Sequence, residues 1–130
     1  MILVDSSVWI DFFRGLSTPQ TDKLEELLDS DELGIGDLVL TEVLQGCKLD
    51  KEFNEVRRLL SRLEFVVLGG DDVAVEAARN YRKLRSLGLT VRGTVDVVLA
   101  TRCVVSGYRL LHSDRDFDPF EQHLGLQCVG

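Results

Sequence analysis

The sequence predicts an α/β fold in which helices cover both faces of a central parallel sheet. Short apolar segments alternate with longer segments of helical periodicity along the 130 residues, and this succession is typical of strand–helix–strand units. Most strand candidates are continuous apolar runs, as expected of parallel strands buried on both faces. The length suits one domain, and we therefore expect a single domain over residues 1–130.

The first half of the chain predicts two strands and four helices. Met1–Val4 is a short apolar run that ends in Asp-Ser-Ser, which favours a strand followed by a helix cap, and Gly15 is placed to end that helix. A weaker strand candidate covers residues 33–36, and Asp37 is placed to cap the helix after it. Helical spacing of apolar residues predicts the remaining helices over residues 21–31, 38–46 and 52–63.

The second half predicts three strands and three helices. Phe65–Leu68 is an apolar run that predicts another buried strand, and Asp71 or Asp72 is placed to cap a long helix that ends at Gly88. Thr94 is placed to cap a helix over residues 95–105 that is almost wholly apolar and hence expected to be buried. A strand over residues 108–111, a short helix over 117–124 and an edge strand over 127–129 complete the prediction.

The composition argues against several classes of function. The chain has 15 basic and 22 acidic residues and a net charge of -7, which argues against a nucleic-acid-binding domain that is basic overall. No apolar run approaches the roughly 18 residues that span a bilayer, so we expect no membrane partner. Cys47, Cys103 and Cys128 are odd in number and widely spaced, which predicts reduced thiols and a cytoplasmic protein.

Three aspartates follow predicted strands. Asp5 comes directly after the first strand, and Asp114 and Asp116 come shortly after the strand that ends at Leu111. Ligands of parallel α/β sheets bind beyond the carboxyl ends of the strands, so these side chains are candidate site residues. Each also has an ordinary structural alternative, since aspartate is common at helix N-caps and in turns.

Two further acids lie in predicted helices. Asp96 lies in the first turn of the apolar helix, where the helix dipole favours a carboxylate. That preference does not explain an aspartate amid so apolar a segment, because buried aspartates need a partner. Glu42 has apolar neighbours on its helix, and taken alone it fits an ordinary exposed helix glutamate.

Together these acids predict a site for a hard divalent cation. Oxygen ligands without a set of histidines and cysteines select Mg²⁺ or Mn²⁺, which assist phosphate chemistry. The two histidines, His112 and His123, have no metal-ligand spacing, and we interpret them as structural or surface residues. The phosphate-binding glycine-rich motifs and the G-x-S-x-G motif of serine hydrolases are absent.

The segments that carry these acids resemble the PIN-domain ribonucleases, and within them the VapC toxins of bacterial and archaeal toxin–antitoxin pairs. The matching segments are residues 1–10, 40–46, 90–96 and 110–117, and they span nearly the whole chain. The resemblance implies a three-layer α/β/α fold and a metal-dependent endoribonuclease. It further implies an acidic quartet around Mg²⁺ or Mn²⁺, formed by Asp5, Glu42, Asp96 and Asp114. Asp116 matches an additional acid that often contributes, and Ser7 matches a hydroxyl that supports the site.

The same resemblance implies partners. It predicts an RNA substrate, a homodimer and a cognate VapB-like antitoxin whose C-terminal segment blocks the site, often with an arginine among the acids. Most members carry threonine where this chain has Ser6, a change that keeps the hydroxyl. Arg92 and Arg115 adjoin the matching segments and are the candidate RNA-binding residues, although a solvated charged surface would also account for them.

Two alternatives compete with this interpretation, and the sequence argues against the second. A non-catalytic PIN-like interaction module would use the acids only as caps and turns. An aspartate-nucleophile phosphatase would need a second aspartate two residues after Asp5, where Ser7 stands. The charge balance favours a local acidic site: without the five acids, the chain would carry 17 acidic and 15 basic residues.

Overall fold

The fold is built on a five-stranded parallel sheet. A computed structural model describes all residues from Met1 to Gly130. The strand order across the sheet is β3-β2-β1-β4-β5, and every neighbouring pair is parallel. The strands are β1 (Ile2–Val4), β2 (Leu33–Gly36), β3 (Glu64–Val66), β4 (Arg109–Leu111) and β5 (Gln127–Cys128).

Seven α-helices flank the sheet, which confirms the predicted α/β/α class. They are α1 (Ser6–Phe13), α2 (Pro19–Leu27), α3 (Asp37–Gln45), α4 (Asp50–Leu60), α5 (Asp71–Ser86), α6 (Thr94–Ser106) and α7 (Asp118–His123). A single 3-10 turn (Arg115–Phe117) leads into α7. No helix has both the length and the apolar character required to cross a membrane.

The core is centred on the middle of the sheet. All three residues of β1 are buried, as expected of a central strand covered on both faces. Trp9 of α1 and Phe117 beside β4 are fully buried against this strand layer. Gly107, in the left-handed conformation with φ of 72°, ends α6 and turns the chain into β4. The best-buried part of the molecule therefore lies directly beneath the strand ends that carry Asp5 and the Asp114 loop.

One predicted strand differs in its environment. The segment Phe65–Leu68 was expected to be a buried strand, but β3 begins at Glu64 and lies at the edge of the sheet. The side chain of Phe65 is 59% exposed, and only Leu68, beyond the strand, is fully buried. An apolar run of this length cannot distinguish an edge strand from a central one, because the distinction depends on which neighbours pair with it.

Several helix ends also differ from the prediction. Helices α3, α5 and α6 have the glycines Gly36, Gly70 and Gly93 at their N-caps, one residue before the expected cap. Helix α2 begins earlier than expected because Thr18 and Thr21 form a reciprocal capping box. Helix α4 is displaced toward the N-terminus, over Asp50–Leu60, because a turn follows Leu60.

Candidate functional site

The side on which the chain adds strands to the sheet changes at β1. The chain builds outward from β1 through β2 to β3, and then returns to place β4 on the other side of β1. Such a switch point leaves a crevice at the carboxyl ends of the two strands. Asp5 follows β1, the Asp114 loop follows β4, and the Asp5 N–H donates to the carbonyl of Leu111 at 3.0 Å. The topology thus brings the first two predicted acids to one crevice.

Asp5 is held by a neighbouring hydroxyl. It occupies the N-cap position of α1, and its side chain makes no cap hydrogen bond there. Instead, the Ser7 hydroxyl donates to Asp5 Oδ2 at 2.6 Å. Only 4% of Asp5 is exposed. Burial raises the pKa of Asp5, the Ser7 hydrogen bond opposes that shift, and the charge of Asp114 adds to it.

Three aspartates come together beside Asp5. One carboxylate oxygen from each of Asp96, Asp114 and Asp116 lies within 4.8 Å of the other two. Asp96 reaches this cluster from the first turn of α6. A Cβ at Gly93 would lie 3.1 Å from Asp96 Oδ2, so the glycine leaves room for that carboxylate. Chain segments far apart in sequence therefore contribute to one half-buried cluster.

The loop after β4 has a fixed shape. The Asp116 N–H donates to Asp114 Oδ1 at 2.9 Å, and the Asp114 N–H donates to His112 Nδ1 at 3.3 Å. The turn and cap alternative is thus correct for one Asp114 oxygen, while the hydrogen bond leaves the second oxygen available. Ser113 is part of this loop, and its hydroxyl lies 3.4 Å from that of Ser7.

Glu42 approaches the cluster from α3, and the simple view of it as an exposed helix glutamate is wrong. The residue is half-buried, and its Oε1 is buried with no hydrogen-bond partner. An unpaired buried carboxylate oxygen is costly. Glu42 and Asp5 lie outside the close aspartate trio, yet the charges of both raise the pKa of Asp96. All five predicted acids therefore act on one site.

Asp96 has the most strongly perturbed carboxyl group of the five. Burial, followed by the charges of the other four acids, raises its pKa to about 7. Asp5 and Asp114 are the larger contributors among the four. A carboxyl group whose pKa is near 7 has no positive charge beside it to stabilise the ionised form. Carboxyl groups with strongly raised pKa values are common at functional sites.

The donor set fits a hard divalent cation. Every candidate ligand is a carboxylate or hydroxyl oxygen, which suits Mg²⁺ or Mn²⁺. A cation would also offset the repulsion that acts on Asp96. The residues present therefore match what a divalent ion requires at this place.

The two candidate RNA-binding arginines lie outside the cluster. Arg92 and Arg115 are both exposed, and neither forms an ion pair. Arg115 lies in the 3-10 turn between Asp114 and Asp116. Arg92 lines a groove of about 510 Å³, which runs along α5 and α6 and includes none of the five acids.

Comparisons with known proteins agree with this architecture. The PIN domain family profile matches residues 2–121. A VapC ribonuclease of Mycobacterium bovis is 32% identical over 134 aligned positions, covering 99% of this chain and 98% of the relative. Ribonuclease VapC32 of Mycobacterium tuberculosis is 38% identical over 117 positions, covering 88% of this chain and 86% of the relative.

Solved structures share the fold. VapBC2 from Rickettsia felis, bound to a DNA fragment from its promoter, superposes with a TM-score of 0.77 at 18% identity and covers 99% of this chain and 98% of its own. DNA-bound VapBC from Salmonella typhimurium gives the same TM-score and identity, and covers 98% of this chain and 96% of its own. The chain belongs to the PIN-domain family, among its VapC ribonucleases.

The raised pKa of Asp96 predicts a pH-dependent stability of the metal-free protein. The folded chain retains the Asp96 proton up to about pH 7, whereas the unfolded chain releases it near pH 3.8. This contribution to the free energy of unfolding is therefore present below pH 3.8 and lost as the pH rises through 7. In EDTA, we expect Asp96→Asn to reduce the fall in Tm between pH 5 and pH 7.5 by about 4 °C, which is about 1 kcal/mol after discounting for solvent screening. Identical falls in both proteins would contradict this explanation.

Proposed function

We propose that this protein is a metal-dependent endoribonuclease that acts as the toxin of a toxin–antitoxin pair. The observation that carries the proposal is the convergence of five acids at the switch point of a PIN-domain sheet. PIN-domain nucleases generally depend on divalent metal, and an acidic cluster is present here. We propose Mg²⁺, with Mn²⁺ as the alternative ion, because only oxygen ligands are available.

The proposed roles follow from the position of each side chain. Asp5, Asp96, Asp114 and Asp116 hold the cation in this proposal. The last three place carboxylate oxygens within 4.8 Å of one another, and the charges of Asp5 and Asp114 both act on Asp96. Ser7 is a positioning residue, because its hydroxyl fixes Asp5 Oδ2. When bound, such an ion lowers the pKa of water and neutralises charge on the phosphate.

Glu42 has a different proposed role. Its charge acts on Asp96, but it lies outside the close aspartate trio, so its proposed role is to orient the water that attacks phosphorus and not to hold the cation. In the overall reaction, this water adds to phosphorus as the P–O bond to the leaving ribose oxygen breaks. One water is consumed: its hydroxyl group stays on phosphorus, a proton goes to the leaving ribose oxygen, and the RNA is left as two shorter strands.

The chain offers few basic groups to hold RNA phosphates near this site. Arg92 and Arg115 are the proposed contacts because both are exposed, unpaired and next to segments that carry site acids. With a net charge of -7, the protein needs the bound cation to offset repulsion between the acid cluster and RNA. We therefore expect RNA binding at this site to depend on metal.

The proposed partner is a VapB-like antitoxin. Structural neighbours from Rickettsia felis and Salmonella typhimurium are VapBC proteins bound to DNA, and the acid cluster here would attract a basic segment of such a partner. The product of an adjacent antitoxin-like reading frame should stop RNA cleavage when added to the protein. An unchanged cleavage rate in a mixture that forms a complex would count against this partner.

Three further features belong to the proposal. We propose that residues 1–130 form one nuclease domain, that it acts in the cytoplasm and that it pairs as a homodimer. The apolar lining of the groove along α5 and α6, which includes Ala78 and Tyr81, supports self-association. Light scattering should give twice the 14.6 kDa mass of the chain, whereas a monomer mass would refute the dimer.

Asp96→Asn tests the catalytic proposal. We expect the variant to fold normally and to lose at least about 100-fold of Mg²⁺-dependent RNA cleavage, because one cation ligand loses its charge. Asp71→Asn is the matched control, since Asp71 is also an aspartate in the first turn of a helix but is exposed. Wild-type cleavage by pure Asp96→Asn protein would sink the proposal and favour a non-catalytic interaction module.

Arg115→Gln tests the proposed phosphate contact. Each phosphate contact to single-stranded nucleic acid contributes about 0.7 to the slope of log affinity against log salt. We expect the variant to weaken RNA binding and to reduce this slope by about that amount, measured in the presence of metal. Arg58→Gln, at an exposed position on α4, should leave the slope unchanged. Equal slopes for wild type and Arg115→Gln would show that Arg115 does not contact phosphate.

A further inference from the structure

A second group of potential ligands lies on the far side of the Asp114 loop. His112, Glu121 and Cys128 each place one ligand atom within 4.8 Å of the other two. They come from three parts of the chain: the end of β4, helix α7 and the edge strand β5. His112 has no metal-ligand spacing in the sequence, because Glu121 and Cys128 are nine and sixteen residues away.

The ligand chemistry of this group differs from that of the acid cluster. It offers one imidazole nitrogen, one carboxylate oxygen and one thiol sulfur, a mixed set that suits Zn²⁺ better than Mg²⁺. Cys128 Sγ lies 3.4 Å from His112 Nε2. Bond lengths of about 2.0–2.3 Å to a tetrahedral ion place its ligand atoms about 3.5 Å apart, so this pair is already at the required separation.

The surroundings of Cys128 also favour a cation. Burial raises the pKa of the Cys128 thiol, and the negative charges of Glu121 and Asp118 raise it further, to about 12. The same negative charges stabilise a cation that replaces the thiol proton, as metal binding to cysteine requires. Cys128 and His112 are half-buried, while Glu121 is exposed and leaves a path for entry from solvent.

We propose that His112, Glu121 and Cys128 form a Zn²⁺ site, with water as the fourth ligand. The site is separate from the acid cluster in its ligands, although the two share one loop. Three protein ligands and an open position are a common arrangement for zinc. This site does not depend on nuclease activity.

Zinc at this position would affect Asp114 through His112. A neutral imidazole has only one nitrogen that can accept a hydrogen bond, and in the structure His112 Nδ1 accepts the Asp114 N–H at 3.3 Å. Coordination through Nε2 moves the ring proton to Nδ1, where it opposes the Asp114 N–H and breaks that hydrogen bond. Zinc binding and the present position of the Asp114 loop therefore exclude each other. Because Asp114 is a proposed cation ligand, zinc binding would then reduce RNA cleavage, and this regulatory effect rests on the proposed function.

Titration with Co²⁺, as a spectroscopic substitute for Zn²⁺, tests the site directly. A thiolate bound to Co²⁺ gives a near-ultraviolet charge-transfer band, whereas Co²⁺ held by carboxylates alone does not. We expect the band in the wild type and its loss in Cys128→Ser. Cys47→Ser is the matched control, because Cys47 is half-buried at the end of α3 and outside the group. Zinc should abolish the band by displacement.

The outcomes separate this proposal from the nuclease proposal. Absence of the band in the wild type, or its persistence in Cys128→Ser, overturns the zinc site even if RNA cleavage is normal. If the wild type shows the band but does not cleave RNA, the zinc site is supported and only the nuclease proposal is refuted. Asp96→Asn should retain the band.

The imidazole provides the readout for the coupling to Asp114. The chain has two histidines, so ¹⁵N spectra with His123→Gln assign the His112 ring. We expect Zn²⁺ to move the ring proton from Nε2 to Nδ1 and to shift the Asp114 amide resonance. Zinc binding with an unchanged His112 tautomer would overturn the coupling.

Discussion

Mutual repulsion among carboxylates at the end of a buried parallel sheet is the constraint on which the rest of this structure depends. Asp5 and Asp114 are brought together because β1 and β4 are neighbours, and Asp96 joins them from the first turn of α6. No basic side chain forms an ion pair with any of them. The metal-free site is therefore electrostatically unfavourable, and its energy must be offset by packing elsewhere.

The fold supplies that packing directly below the acids. All of β1 is buried, and Trp9 and Phe117 fill the layer beside it. Local contacts then orient each carboxylate: Ser7 holds Asp5, the Asp116 N–H holds one oxygen of Asp114, and Gly93 leaves space for Asp96. Functional sites commonly combine a rigid scaffold with a group of mutually repelling charges that lowers the stability of the fold. A divalent cation would remove this cost and provide the chemistry at the same place.

The sequence predicted most of this arrangement because the relevant signals are local. Asp5 and Asp114 follow apolar strands, and Asp96 is out of place in an apolar helix, so each could be recognised from its neighbours. The importance of Glu42 could not be recognised in this way, because only the packing of α3 buries its Oε1. The exposure of Phe65 likewise depends on β3 being at the edge of the sheet, which no local pattern records.

The second group of ligands could not be predicted from the sequence, because strand pairing brings together residues that are distant along the chain. His112 and Cys128 meet because β5 adds to the sheet beside β4, and neither residue has a sequence neighbour that indicates the contact. The two groups of ligands on either side of the Asp114 loop are nevertheless distinct in chemistry. One contains oxygen atoms alone, whereas the other includes nitrogen and sulfur, and this difference lets hard and softer metal ions be assigned to separate places.

Calorimetric titration with Mn²⁺ tests most directly whether the acid cluster is a cation site. It should be performed on wild type and Asp96→Asn, both in the Cys128→Ser background, so that the second group of ligands lacks its thiol. We expect Mn²⁺ to bind the first protein and its affinity to fall at least about tenfold, or 1.4 kcal/mol, in the second. Absence of Mn²⁺ binding, or equal affinity in the two proteins, would contradict it.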